Sequence, residues 1–504
     1  MRWPSTKSLG GSRRPDTTYL RTWGSRLRQV ATALDVPPGP VNARPITSLA
    51  LRHEIERVID VTDRGQAWLT VAALSGQLPD DRTVTAVCRA AEFSGAKPIF
   101  EAIVASTTEL ANRRPLRILT RTVLVDVQHT ANTDLATGIQ RVARETARRW
   151  NDKHDCTMVA WTEDFAGMRT LTPREHARMT GEPLPPVRAP EPPRTIVVPW
   201  NSTYVVPELA ADPERTRRLL ALARHTPNRT GAIGFDCVPI TSAETSSTGF
   251  PGFFANYLAA VRHFDHITTI SEAAATEYTG WRSMLAAIGL HGPEIQPILL
   301  PAEAPLPNDA AIDRARRRFV VAGMPMVLCV GTHEPRKNHL AVLHAAEVLW
   351  REGLRFSLTF VGGHSWNSDR FRSRLAALQE AGRPVETASG IDDELLWAAY
   401  RVARCTVFPS LSEGFGLPVA ESLAAGTPVI TSAFGSMKEI AADGGALLVD
   451  PRDDESITTA LRTMLADDAV HKDLSAAALG RPVRTWDEYA SDTWDYLVGS
   501  QPGC

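Results

Sequence analysis

Cysteine is scarce in this 504-residue chain. The six residues, Cys88, Cys156, Cys237, Cys329, Cys405 and Cys504, are scattered and form no Cys-x-x-Cys pair. Structural zinc and a disulfide scaffold are therefore not expected, and the pattern suits a reducing compartment. Cys329 and Cys405 sit inside apolar runs and are expected to be buried thiols. Long apolar runs are also lacking. No window of about 18 apolar residues occurs, so no transmembrane helix is expected. The first residues, MRWPSTKSLGGSRRPD, have no apolar stretch behind them, so a signal peptide is not expected either. A cytoplasmic protein follows, with peripheral contact at the cytoplasmic face of a membrane left open. There is no excess of one charge: 55 basic and 57 acidic side chains leave a net charge of −2. No global field attracts nucleic acid, and an anionic substrate would need local cations. Finally, no Gly-x-Gly-x-x-Gly follows a strand with an acidic residue beyond it, which disfavours a Rossmann dehydrogenase.

What is present is an ordinary apolar content of 43% in a chain too long for one core, so roughly two to four domains are expected. Residues 1–45 are rich in Pro, Gly, Arg and Ser and read as a disordered arm with one helix near Tyr19 to Leu34. Residues 46–115 turn helical in period, with Leu51, Ile55 and Val58 on one face and breakers at Gly76 to Asp81 and Gly95 to Pro98. This helical module is a candidate for binding a protein partner. At Thr122 the texture changes to TVLVDV, a β-branched run typical of a buried parallel strand. Over 116–305, TMVAW, TIVVPW, AIGFD and HITTIS continue the series, interrupted by a Pro-rich excursion near 182–194. Over 306–480, MVLCVG, FSLTFV, CTVFP, PVITS and ALLVD alternate with helices starting near Asn338, Asp369, Asp392, Pro418, Ser436 and Glu455. Ser436 and Glu439 have the spacing of a capping box. The aromatic stretch Trp486 to Leu497, in a last segment 481–504, reads as a helix packing back on the first α/β domain. Two tandem doubly wound α/β domains with parallel sheets are expected. Such sheets bind ligands outside the carboxyl ends of their strands, so a cleft between the two domains is the expected site.

Two segments carry chemistry. In GTHEPRKN, Gly331 to Asn338, a glycine follows a strand and a helix begins. Helix-end amides with Arg336 and Lys337 make a diphosphate seat. The bland alternative is a helix start with solvated basic residues. In SEGFGLPVAE, Ser412 to Glu421, Gly414 and Gly416 let backbone approach a ligand. Pro418 suits a first helical turn. Glu413 and Glu421 bracket the turn, and each carboxylate can accept two hydrogen bonds from a sugar diol. Gly362 and Gly363 mark a further loop, Gly138 opens a helix in the first α/β domain, and Asp236 stands where a strand ends. A ligand with hydroxyls at both ends and an anionic middle fits this set, and a nucleotide sugar is such a ligand.

These two segments resemble the retaining glycosyltransferases of family 4, the group 1 glycosyl transferases, which have the GT-B fold. The likeness extends over roughly residues 120–500, with DVQHT, TGIQRVARE and HFDHITTISEAAATEY fitting the first half. It implies Lys337 and Glu413 as the catalytic pair. The implied donor-binding set is Gly331, Arg336, Lys337, Phe415, Gly416, Leu417, Glu421 and Gly138. In that reading Glu421 binds the ribose and Glu413 faces the transferred sugar. The resemblance also implies a reaction without metal or other cofactor, and no Asp-x-Asp occurs in the chain. The nucleotide-sugar donor would be a substrate, with a GDP-linked mannose-type sugar as the guess, and a sugar or lipid-linked glycan as acceptor. Two positions depart from the family pattern: Thr332 where Arg is common, and Phe235 where His is common. Two alternatives stand beside this reading. One is a GT-B epimerase. The other is a non-catalytic nucleotide-sugar-binding or assembly protein.

Overall fold

The computed structural model describes residues 17–37, 47–133, 137–186, 194–363 and 365–499. The expected disordered arm, apart from its helix, lies outside the described residues, as do residues 187–193 of the Pro-rich excursion. Two compact units emerge. One contains residues up to 134, 155–205 and 212–230; the other contains 135–154, 206–211 and 231 onward. Among the described residues no helix is long and apolar enough to cross a membrane.

The first unit opens with helices Thr17–Ala33, Ser48–Val58, Arg64–Ser75, Asp81–Ser94, Lys97–Ser106 and Glu109–Arg113. Thr47, Asp63, Asp80 and Thr108 cap four of them, each side chain accepting from an amide in the first turn, a bond worth roughly 1 kcal/mol. Their apolar stripes meet in a core around Trp23, Leu51, Ile55, Trp68, Ile99 and Ile103. The buried Arg26 guanidinium donates to the carbonyls of Leu74 (3.0 Å) and Ala111 (2.7 Å), which lie at two helix ends. Burial lowers its pKa to about 10.

Strands β1 (Leu116–Leu119), β2 (Val123–Asp126), β3 (Cys156–Trp161), β4 (Met168–Thr170), β5 (Ile196–Pro199) and β6 (Thr203–Val206) follow, in the order β1-β5-β4-β3-β2-β6. The expectation of a wholly parallel sheet is corrected here, because β4 runs antiparallel to both β3 and β5. A turn of six residues joins β3 to β4, too short for the crossover that a parallel neighbour needs. At the carboxyl end of β2, Asp126 is fully buried. It accepts from Trp161 Nε1 (2.7 Å) and the Tyr204 hydroxyl, and pairs with Arg215 at 2.9 Å. Its charge is thereby consumed in holding strands together.

The second unit contains the helix Gly138–Lys153 and the parallel strands β7 (Arg229–Gly234, from Gly231 on), β8 (His266–Thr269) and β9 (Glu294–Pro297). It also contains a six-stranded parallel sheet of β10 (Met326–Val330), β11 (Ser357–Val361), β12 (Val385–Ala388), β13 (Cys405–Phe408), β14 (Val429–Ser432) and β15 (Ala446–Val449), ordered β12-β11-β10-β13-β14-β15. Helices cover both faces. Val327, Cys329, Phe360 and Val407 face one cluster, and Leu328, Trp397 and Tyr400 lie in the other. Double coverage explains why β10, β11, β13 and β14 read as mostly apolar runs. Strand order reverses between β10 and β13, so the loops leaving those two strands diverge and open a crevice. The helix Trp486–Leu497 is anchored by Trp150 Nε1, which donates to the Ala490 carbonyl at 2.8 Å, and by the stacked rings of His154 and Trp494.

Candidate active site

The loop after β10 begins at Gly331, with φ of +144°. A side chain at Gly362, on the loop after β11, would lie 1.9 Å from the Gly331 carbonyl. The glycine at 362 therefore answers a crossing of two chain segments. Pro335–Lys337 form one short 3₁₀ turn, Asn338 takes the left-handed conformation, and the long helix is His339–Arg351. Arg336 and Lys337 thus stand on a turn before the helix, one step earlier than the sequence suggests. Neither points into open solvent. Lys337 Nζ donates to Glu413 Oε1 at 2.6 Å and lies 5.0 Å from the Phe408 ring. The Arg336 guanidinium contacts Glu334 (2.7 Å), Glu413 Oε2 (2.7 Å) and the Ser412 carbonyl (2.5 Å). The solvated-turn alternative fails on these contacts.

Glu413 lies in the loop after β13 and collects four groups. Besides the two cations, the Ser410 hydroxyl donates to Oε1 at 2.6 Å, and the Ser436 hydroxyl donates to its carbonyl at 2.9 Å. Burial by itself raises a carboxyl pKa. Here Arg336 and Lys337 outweigh it and hold Glu413 at about 2, so the group is ionised at any physiological pH. The expected Ser436–Glu439 capping box is corrected by the same contacts. The helix Gly435–Ala441 has no side-chain cap. Ser436 is spent on Glu413, and the Glu439 carboxylate instead accepts from the amides of Glu272 (3.1 Å) and Ala273 (3.2 Å). It caps the helix Glu272–Ala287, whose free amides attract an anion.

Gly414 has no room for a side chain: a Cβ would meet the Phe235 carbonyl at 2.6 Å and Asp236 Oδ2 at 2.9 Å. The Ser271 hydroxyl donates to its carbonyl at 2.5 Å. Phe415 is buried. Gly416, at φ of +107°, turns the chain into the helix Leu417–Ala424 with Pro418 in its first turn. That helix carries Glu421 inward, where it is buried. Its Oε2 accepts from the Tyr400 hydroxyl at 2.7 Å, and its Oε1 pairs with the Arg141 guanidinium. Burial raises the Glu421 pKa, opposed by Arg141 and Tyr400. Gly138 sits against this same helix: a Cβ there would lie 3.1 Å from Leu417 Cδ1. The structure thus brings Gly138, Leu417 and Glu421 together, and separately ties Arg336, Lys337 and Glu413 into one network.

Arg141 and Tyr400 escape the sequence reading. Gly138 drew notice as a helix-opening glycine. The spacing of three puts Arg141 one turn along the same helix face, a signal that could have marked the residue but not its partner Glu421. Tyr400 gave no signal, since an apolar helix facing a sheet is the ordinary context for a tyrosine. Asp236 follows β7 and accepts from the Val238 amide at 3.1 Å. Burial raises its pKa to about 6, with Arg336 opposing and Glu277 and Glu413 adding to the rise. Phe235 is buried, Thr332 is exposed, and a Cβ at Gly363 meets no atom nearby. Among the described residues no group of three or more His, Cys, Asp or Glu is placed to hold a metal ion.

Residues 313–481 match the family described as glycosyl transferases group 1. The serotype-specific mannosyltransferase WbdA of Escherichia coli is 27% identical over 338 residues, covering 64% of this chain and 40% of WbdA. A D-inositol 3-phosphate glycosyltransferase of Acidothermus cellulolyticus is 37% identical over 194 residues, covering 36% of this chain and 42% of that protein. The chain therefore spans less than half the length of either curated relative. Among solved structures, WaaG, a glycosyltransferase involved in lipopolysaccharide biosynthesis, aligns with a TM-score of 0.52 at 15% identity, covering 75% of this chain and 100% of WaaG. That likeness is one of fold, and the fold is the GT-B type expected from the sequence.

Proposed function

We propose, from the match of residues 313–481 to the glycosyl transferases group 1, that the chain moves a hexosyl group from a nucleoside-diphosphate sugar to a hydroxyl acceptor. The setting is glycan or polysaccharide assembly. The observation that carries this reading is the junction of the two motif segments, with Lys337 Nζ 2.6 Å and an Arg336 nitrogen 2.7 Å from the two oxygens of Glu413. Two cations are held beside the glycine turn that opens the helix Leu417–Ala424. Departure of a nucleoside diphosphate builds negative charge, and preplaced cations and amides lower the energy of that charge in a site poor in water. Glu413 faces the transferred sugar and Glu421 the ribose. The anomeric configuration is retained in this reading: the acceptor hydroxyl attacks from the side the diphosphate leaves, and a donor phosphate oxygen takes its proton. No protein nucleophile is assigned. The chemistry runs without a metal, so a chelator leaves turnover unchanged.

The donor in this proposal is GDP-linked and mannose-like. The support for mannose is the name of the Escherichia coli relatives, which are mannosyltransferases; the GDP link rests on the family resemblance. Peripheral membrane contact and a protein partner for the helices of residues 46–115 belong to the same proposal. A panel of GDP-, UDP- and ADP-sugars, assayed for release of the nucleoside diphosphate with and without glycan acceptors, tests it. Acceptor-dependent release from GDP-mannose is the expected result. Preference for a UDP-sugar contradicts the donor assignment, and isomerised donor without transfer favours an epimerase.

A further inference from the structure

The assignment of Glu421 to the ribose raises a problem. A buried carboxylate tends to take up a proton, and burial raises this one. A protonated carboxyl has lost acceptor capacity for a ribose diol. Three groups bear on it. Arg141, from the helix Gly138–Lys153, pairs with Oε1. Tyr400, from the helix Asp393–Val402, donates to Oε2 at 2.7 Å. Asp393, at the start of that helix, acts against ionisation. Only Arg141 brings a positive charge. Its guanidinium carbon lies 6.0 Å from the Trp397 ring centroid and 5.9 Å from the Trp486 ring centroid, within reach of a cation–π attraction. An ionised carboxylate offers roughly four acceptor positions. Arg141 and Tyr400 use one on each oxygen, which leaves as many as a vicinal diol donates.

We propose that Arg141 is a positioning residue for the nucleotide: paired with Glu421 and near two indoles, it keeps that carboxylate ionised and aimed, so that the site accepts a ribose over the whole neutral pH range. The inference rests on the reading of Glu421 as the ribose carboxylate. Arg141 does not itself touch the sugar in this account. It is not a latch that the nucleotide must displace, because two acceptor positions remain while it is in place. Removing its charge leaves burial and Asp393 opposed only by the Tyr400 hydroxyl, so the carboxyl titrates at higher pH. Affinity for nucleotide then falls on the acid side and recovers on the alkaline side.

Calorimetric titration with GDP and with UDP, between about pH 6 and pH 9, tests this for the full chain and for Arg141→Gln, Arg141→Lys and Glu421→Gln. The expected result is a flat affinity profile for the unaltered chain and for Arg141→Lys. In Arg141→Gln, affinity is severalfold weaker at the acid end than at the alkaline end, because only the ionised fraction of Glu421 accepts from the ribose. Arg141→Met, which keeps length but not charge, replaces the glutamine variant should that fail to fold. Two results overturn the inference while leaving the ribose reading intact. One is a flat profile in the uncharged variants while Glu421→Gln still weakens binding. The other is tighter binding in the uncharged variants, which marks Arg141 as a competitor. If Glu421→Gln binds GDP and UDP as the unaltered chain does, the ribose reading itself falls.

Discussion

In the proposed reaction Lys337 is a side chain prepared for its task. Its ammonium is fixed by Glu413 and rests near the Phe408 ring, so little ordering remains to be done when an anionic ligand arrives. Lys337→Ala removes a charge-assisted contact worth roughly 1.5–3 kcal/mol, which corresponds to about a ten- to hundredfold loss. The loss is expected in kcat more than in KM, because the diphosphate charge grows as the bond breaks. Steady-state kinetics with the preferred donor check this, and a variant with unaltered kcat removes Lys337 from the reaction. Glu413 makes a second prediction. Its pKa is lowered from 4.5 to about 2, so it binds fewer protons folded than unfolded. Its contribution to stability is fully present above about 4.5 and is lost as pH falls towards 2. Denaturant unfolding between pH 5 and about pH 3 is expected to show a steeper loss for the unaltered chain than for Glu413→Gln. Parallel pH profiles would contradict the ion network.

Elements divide by how visible they were. Strands β10, β11, β13 and β14 are short, mostly apolar runs buried on both faces, and their residues announce it. Strands β4 and β12 did not, because Met-Arg-Thr and Val-Glu-Thr-Ala are short and half polar; only their neighbours make them strands. The helix Gly435–Ala441 shows the limit of local spacing. Ser436 and Glu439 match a capping pattern, yet Glu413 and the helix Glu272–Ala287 outbid the local partners. Tertiary contacts decide such cases, and no window of sequence contains them. At Gly416 the backbone requirement is local and the glycine reveals it: φ of +107° strains any residue with a side chain, at about 1–2 kcal/mol. Gly416→Ala is expected to lower unfolding free energy by about that amount and to weaken nucleotide binding, since the turn no longer aims its amides. Chemical denaturation and titration with GDP measure both, and an unchanged variant would show that the turn tolerates reshaping.

For the molecule, the doubly wound character and the positions of both motif segments were legible because strand ends and glycine turns are written in consecutive residues. Arg141 with Glu421 was not, since its partners are far apart in the chain and only folding joins them. A nucleotide that binds the folded chain stabilises it by mass action, by about 2.7 kcal/mol at a hundred times its Kd. The proposed reaction requires both segments to hold one activated sugar at once. A structure determined with GDP-mannose bound tests that most directly. The expected complex has the diphosphate against Lys337 and the amides at the start of the Leu417–Ala424 helix, with both ribose hydroxyls on Glu421. A nucleotide lodged away from these groups, or a ribose that leaves Glu421 untouched, would contradict it.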